Sequence, residues 1–314
     1  MVACSGADLL PNWREELRLG EPVNLHRLVA SLGGRPANTC SVLIDCTASD
    51  MAPSVYLEAM REAGCHIITP NKKFGAGPMF RYTQMMALSS TCGRCFMYEA
   101  TVGAGLPVLT SLRDLLDTGD VITSVEGVLS GTLSHIFNTY TSDMRLSDVV
   151  AQARAMGYTE PDPRDDLSGM DVARKAVILA RECGLPMDLS SMDVESLVPE
   201  ALADLATADE FMARLPEFDG AMSARTAAHE QKGEVLRYVA SVNVAEGTCS
   251  VRLGSFAKSH PFAQLSGTDN MVVFKTKRYH TRPLVICGPG AGAEVTAMGV
   301  FADLLRIVRS HSAS

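Results

Sequence analysis

The chain has 314 residues, enough for about two domains, and its 46% hydrophobic and 20% charged residues exclude a disordered protein. A net charge of -8 leaves no basic surface for nucleic acid or an anionic membrane. No apolar run approaches the roughly 20 residues that span a bilayer, and the first residues lack a secretion signal. Nine scattered cysteines indicate a reducing compartment, so we expect a cytoplasmic protein, with an organelle as the alternative.

The first hundred residues alternate between strand and helix patterns. Short apolar runs at 41–47 (SVLIDCT), 66–70 (HIITP) and 95–100 (CFMYEA) predict buried strands. The stretches between them, APSVYLEAMREAGC and MFRYTQMMALSS, have the apolar spacing of helices. This order predicts a parallel, doubly wound, Rossmann-like sheet of the α/β class.

The later part of the chain has a different pattern. Helices are predicted in GLPVLTSLRDLLDTGD, TLSHIFNTYTSDM, LSDVVAQARAMG and VARKAVILAREC, with one strand, VITSVEGVLSG, among them. Mixed loop and helix follow from 189 to 232. Antiparallel strands are then predicted in VLRYVASVNV, CSVRLG, MVVFKTKRY and PLVICG, before a closing helix. These patterns predict an α+β domain with a mixed sheet.

Residues 157–175, GYTEPDPRDDLSGMDVARK, concentrate charge. Asp171 and Lys175 are four apart and share a helix face, which Ser168 could cap. One interpretation is a surface ion pair of little energy. The other is an acidic wall for a ligand with an ammonium group, in which the lysine exchanges a proton near neutral pH. A divalent-metal loop in PDPRDD is a third alternative, and Cys92 and Cys95 form a CxxC that is typical of incidental spacing.

This segment resembles the signature of the homoserine dehydrogenase family. The resemblance runs in family order through TPNKK (69–73), YEATVGAGLPV (98–108), GVLSGTLSHIF (127–137), VLRYV (235–239), HPFAQLSGTDN (260–270) and GPGAGAEVTAMGVFADLL (288–305). NWREELRLGEPVNLHRL is similar to the dehydrogenase half of bifunctional aspartokinase–homoserine dehydrogenases. The resemblance implies an oxidoreductase that interconverts L-aspartate 4-semialdehyde and L-homoserine with NADP or NAD, in threonine and methionine biosynthesis.

The resemblance also implies site residues. Lys175 matches the acid–base lysine, and Asp171 matches the aspartate that holds substrate beside it. The other matches are to substrate-binding positions (Glu160, Asp166, Thr132), to cofactor-binding positions (Thr47, Lys72, Gly157, Gly292) and to a monovalent cation site for Na+ (Glu99 by its carboxylate; Val102, Ala104 and Leu106 by their carbonyls). Without the resemblance, Lys72 would be an exposed loop lysine, and the two glycines a helix stop and a turn.

The dinucleotide fingerprint G-x-G-x-x-G is not found, and only Gly33 and Gly34 precede the first predicted strand as a pair. We therefore expect an incomplete nucleotide-binding domain at 1–104, completed by 293–314. The substrate-binding, catalytic and dimerisation domain is expected at 105–292, and the family implies a homodimer. A non-catalytic homoserine-binding or subunit-interaction protein is the alternative function.

Overall fold

The structure, a computed structural model, describes residues 13–20, 22–33 and 40–312. Residues 1–12, 21 and 34–39, with Gly34 among them, lie outside the described residues. The first part of the described chain holds short helices and three strands: α1 (Trp13–Leu19), α2 (Leu25–Leu32), β1 (Val42–Ile44), α3 (Tyr56–Arg61), β2 (His66–Ile68), α4 (Lys72–Gly75), α5 (Met79–Cys92) and β3 (Phe96–Met97).

The three strands form a parallel sheet in the order β1-β2-β3. Leu43 lies opposite Ile67, and Ile67 opposite Phe96, so the predicted strand–helix–strand pattern is confirmed. Helix α3 turns Tyr56 and Met60 into the core on one side of the sheet. Because all three strands run the same way, their carboxyl ends meet at one edge.

The rest of the chain forms the second structural unit and the closing helix. Its elements are α6 (Val108–Asp117), β4 (Ile122–Val128), α7 (Gly131–Thr139), α8 (Leu146–Ala155), α9 (Pro163–Leu167), α10 (Met170–Glu182), β5 (Asp193–Val194), α11 (Ala208–Arg214), α12 (Asp219–Glu230), β6 (Glu234–Asn243), β7 (Thr248–Ala257), β8 (Asp269–Thr276), β9 (Leu284–Pro289) and α13 (Ala293–Ser312).

Six of these strands form one sheet in the order β5-β7-β6-β4-β8-β9. Its pairs are antiparallel except for β5 with β7, so the predicted mixed sheet is confirmed. Along β8, Val272 and Phe274 face the main core, while Met271 and Val273 face a smaller cluster around Phe262. Helix α10 packs on β6 and β7 on the main-core side. The fold is therefore a parallel α/β unit joined to an α+β unit, as expected.

The closing helix α13 returns to the parallel sheet. Val300 and Ile307 pack with Ile68 of β2 and with Ala100. Across the described ranges, no helix is both long and apolar enough to cross a bilayer.

Five short elements were not predicted: α1, α2, α4, α9 and β5. The N-cap residue of α10 is Gly169, one position after the predicted Ser168, whose hydroxyl accepts from the Met170 N–H at 3.3 Å. Ser168 ends α9 and hydrogen-bonds back to the Asp165 carbonyl. The sequence PDPRDDLSGMD thus contains two helices that meet at a glycine.

Candidate active site

Helix α10 begins at a glycine that no other residue could replace without strain. Gly169 has φ of 72°, in the left-handed region, and a Cβ there would overlap the Tyr238 hydroxyl. The turn lets α10 start directly after α9. It places Asp171 in the first turn of α10 and Lys175 one turn later.

The Lys175 ammonium group is buried, with only 9% of the residue exposed. Its Nζ lies 2.8 Å from Asp171 Oδ2 and donates to the Leu129 carbonyl, 2.7 Å away, just beyond β4. The second carboxylate oxygen, Asp171 Oδ1, lies 3.1 Å from Nζ of Lys72. One carboxylate therefore pairs with two ammonium groups. Because Lys175 is buried, the interpretation of Asp171 and Lys175 as a surface ion pair is wrong.

Burial raises the pKa of Asp171, but the charges of Lys175 and Lys72 outweigh burial and hold the pKa below its usual range. The Asp171 side chain is 43% exposed, so this anion lies at a solvent-facing edge beside a buried cation. Such an arrangement can hold a polar ligand next to a proton donor.

A second carboxylate lies nearby. Asp166 Oδ1 is 2.8 Å from the Thr132 hydroxyl at the start of α7, and Asp166 Oδ2 accepts from the Glu160 backbone N–H at 2.8 Å. Burial raises the pKa of Asp166, and the negative charge of Asp171 adds to this, while the two hydrogen bonds oppose it. The Glu160 side chain is exposed. The structure thus brings Asp166, Thr132 and the Glu160 backbone together, close enough to Asp171 for their charges to interact.

The remaining acids of the segment do not join this group. Asp162 caps α9 and pairs with Arg164, with 2.6 Å between Oδ2 and the guanidinium. Asp165 is exposed. No group of three or more His, Cys, Asp or Glu side chains in the described ranges is arranged to hold a metal ion.

A buried carboxylate that the sequence analysis did not predict joins the segments at the carboxyl edge of the parallel sheet by hydrogen bonds. Asp45, just after β1, accepts from the Tyr56 hydroxyl, from the Thr47 N–H at 2.8 Å and from the Asn71 amide at 3.2 Å. Thr47 itself is exposed at this edge. The sequence signal for this group was the polar segments 45–47 (DCT) and 69–71 (TPN), each of which follows one of two successive strands.

Two predicted cofactor positions lie in turns. Gly157, with φ of 73°, ends α8, and Gly292, with φ of 119°, precedes α13. Both are exposed. Their role toward a cofactor stays a prediction.

The predicted cation loop has a clear structural role. The buried Glu99 carboxylate accepts from the backbone N–H groups of Leu109 and Thr110, each at 2.8 Å, and from the Thr110 hydroxyl, so it caps α6. Burial raises the pKa of Glu99, and these bonds oppose the rise. Ala104 has a left-handed φ of 51°. The Leu106 carbonyl already accepts from Val108 N at 2.8 Å, and Val102 ends the preceding 3-10 turn.

Comparison with known proteins places the chain in a family. The sequence profile of the homoserine dehydrogenase family matches residues 107–305. Homoserine dehydrogenase of Schizosaccharomyces pombe is 45% identical over 280 residues, covering 87% of this chain and 74% of the yeast protein. Bifunctional aspartokinase/homoserine dehydrogenase 1, chloroplastic, of Zea mays is 51% identical, covering 96% of this chain. This chain spans 33% of the maize protein's length.

Solved structures with a similar fold include homoserine dehydrogenases. A Candida auris protein of unknown function has a TM-score of 0.88 and 42% identity, covering 95% of this chain and 84% of that one. A hyperthermophilic archaeal homoserine dehydrogenase mutant in complex with NADPH has a TM-score of 0.66 and 25% identity, covering 86% of this chain and 72% of the archaeal chain.

Proposed function

Since this chain belongs to the homoserine dehydrogenase family, we propose that it interconverts L-aspartate 4-semialdehyde and L-homoserine by NAD(P)H-dependent reduction and oxidation. The observation that carries the proposal is the buried Lys175 ammonium, held by Asp171 Oδ2 and the Leu129 carbonyl. A reduced aldehyde oxygen needs a proton donor fixed in place, and this lysine is fixed from two sides.

The proton step follows from these contacts. In the reducing direction, Lys175 gives one N–H proton to the aldehyde oxygen as its carbon is reduced, and the neutral amine is reprotonated from water. In the oxidising direction the amine takes the hydroxyl proton. The low pKa of Asp171 keeps its carboxylate charged throughout, so the lysine stays oriented.

The substrate is a zwitterion, and the carboxylates beside Lys175 suit its ammonium group. Asp166, Asp171 and Glu160 would bind that group, with the Thr132 hydroxyl orienting Asp166 through the 2.8 Å contact. The raised pKa of Asp166 favours a cationic ligand, because a bound ammonium group stabilises the ionised form that burial penalises.

The nicotinamide cofactor fits the carboxyl edge of the parallel sheet. Thr47 is exposed there. Lys72 follows the next strand and reaches Asp171, so one donor from the sheet edge lies beside the acid–base pair. Thr47, Lys72, Gly157 and Gly292 would hold the cofactor, and the structure of the archaeal homoserine dehydrogenase mutant is a complex with NADPH. When bound, the cofactor supplies the hydride that the aldehyde carbon accepts.

Further expectations of the family remain part of this proposal. Residues 1–104 with 293–314 would form the nucleotide-binding domain and 105–292 the catalytic domain, supported by the packing of α13 on β2. A homodimer through the mixed sheet is supported by β9, the last strand of that sheet, which exposes every second residue. The Glu99 loop would bind Na+. A cytoplasmic location is proposed, although the maize relative is called chloroplastic.

The test is NADPH oxidation by the purified chain with L-aspartate 4-semialdehyde. Lys175→Met should lower kcat by about 10²–10⁴-fold, the usual contribution of a general acid. Lys232→Met, at an exposed position, is the matched control and should keep the wild-type rate. No turnover by the wild-type chain would refute the activity, and equal rates in wild type and Lys175→Met would remove the lysine from the mechanism.

A further inference from the structure

Helix α4 is too short to hold its own shape. It has four residues, Lys72–Gly75, whereas isolated helices below about 12 residues are marginal in water. Yet its first residue places an ammonium group 3.1 Å from Asp171. The position of Lys72 must therefore be fixed by what α4 contacts.

The N-terminal end of α4 is tied to the sheet edge. Asn71 caps the helix by accepting from Lys73 N at 3.1 Å, and its amide donates to Asp45 and to the Ser49 carbonyl at 2.9 Å. Lys73 Nζ lies 2.7 Å from Asp50 of the same loop. These contacts join α4 to the loop after β1 that carries Thr47.

The C-terminal end is held by a guanidinium group with no solvent exposure. Arg181 of α10 donates to the carbonyls of Gly75 and Gly77, each at 2.7 Å, and its side chain is 0% exposed. The same guanidinium donates to the Met187 carbonyl at 2.9 Å and lies 3.0 Å from Asp188 Oδ1. Carbonyls at a helix end have no partner within the helix, so this arginine supplies the missing donors.

The two helices also touch between these points. A Cβ at Gly75 would lie 3.2 Å from Cγ1 of Ile178, a separation tighter than ordinary contact. Helix α10 thus meets α4 at Asp171, at Ile178 and at Arg181 along its length.

We propose that Arg181 is a positioning residue for the active site: by fixing the carboxyl end of α4 it holds Lys72 on one oxygen of Asp171 and leaves the other oxygen to Lys175. Its effect on catalysis rests on the proposed function. Its effect on the geometry of Lys72 does not.

The kinetic test is a double-mutant cycle. Arg181→Lys should lower kcat/KM by about tenfold, because small misplacements of reacting groups have effects of this size. In a Lys72→Met background the same change should cause less than a twofold further loss, because Arg181 then has no Lys72 to position. Arg237→Lys is the matched control: that buried arginine also donates to three backbone carbonyls, but in the mixed sheet. It should leave kcat/KM, per folded molecule, within twofold of wild type.

A second test is independent of turnover. Competitive acetylation, read by mass spectrometry, should modify Lys72 several-fold faster relative to the exposed Lys232 in Arg181→Lys than in wild type, and no faster in Arg237→Lys. If Arg181→Lys does not fold, Asp188→Asn removes the charge that faces the Arg181 guanidinium. Acetylation of Lys72 should then also be faster than in wild type. A full tenfold loss in the Lys72→Met background, or an unchanged Lys72 reactivity, would overturn the proposal. Absence of turnover in wild type refutes the proposed function alone, since the labelling still decides the position of Lys72.

Discussion

At the residue scale, the central feature is one carboxylate shared by two lysines. Asp171 gives Oδ2 to Lys175 and Oδ1 to Lys72. Each ammonium group stabilises the ionised carboxylate, and burial opposes both. The balance sets the pH below which Asp171 becomes protonated and no longer orients Lys175.

Lys72→Met should move that pH upward. With one cation gone, burial is opposed by Lys175 alone, so the pKa of Asp171 rises. NMR titration of the Asp171 carboxyl carbon should detect this rise in the pKa directly. Lys73→Met is the control, since Lys73 pairs with Asp50 instead. Identical Asp171 titration curves in all three proteins would contradict this account.

Two of the four groups that meet around Asp171 were predicted from the sequence. The spacing of Asp171 and Lys175 is local, so a helix pattern predicts that they share a face. Lys72 and the Leu129 carbonyl reach the same point from other elements, and a backbone carbonyl leaves no trace in a sequence. The role of Lys72 was assigned by family resemblance alone. Glu99 was likewise assigned to a cation, whereas its visible partners are the backbone N–H groups of α6.

At the element scale, the long helices and strands follow their hydrophobic periods. α4 and α9 were missed because four or five residues make little more than one turn, too short to show a period. Strand β7 is longer than the predicted CSVRLG, because pairing rather than apolar content sets its ends: Thr248 pairs with Asn243 and Ala257 with Glu234.

The stability of the folded chain depends on pH through His66, the first residue of β2. Burial, together with the positive charges of Arg94 and His311, lowers the pKa of His66 to about 4, and His66 Nδ1 accepts from Cys95 N at 3.0 Å. The unfolded chain binds this proton near pH 6.5 and the folded chain only near pH 4. The neutral ring's contribution is therefore complete above about pH 6.5 and is lost as pH falls toward 4, by at most about 3 kcal/mol.

We expect His66→Asn, which keeps an acceptor in place of Nδ1, to flatten the fall in stability between pH 6.5 and 4. Urea unfolding of wild type and variant at several pH values measures the difference. His280→Asn, at an exposed position, should retain the wild-type slope. An unchanged slope in His66→Asn would show that other groups carry the acid sensitivity.

At the scale of the whole molecule, the last helix joins the two ends of the chain. α13 packs on β2, and its buried Asp303 accepts from the Glu99 backbone N–H at 3.0 Å. The sequence predicted a closing helix by period, but its docking site depends on the assembled sheet and was proposed only by family resemblance.

Ile307→Ala should lower the free energy of unfolding by about 2–4 kcal/mol, because this side chain is 1% exposed and its removal leaves a cavity. Val308→Ala, one residue on and exposed, should change it by less than about 0.5 kcal/mol. Chemical denaturation of both variants checks the pair. Equal effects would mean that α13 is not seated as described.

The order of the mixed sheet has a consequence for biosynthesis. β4 lies in its middle, with Val125 opposite Val242 on one side and Phe274 on the other, so both partners leave the ribosome long after it does. A nascent chain therefore carries an apolar strand with two unsatisfied edges during much of translation. Such a segment recruits chaperones or aggregates when synthesis outpaces them. Overproduction at low temperature should accordingly yield more soluble protein than rapid induction.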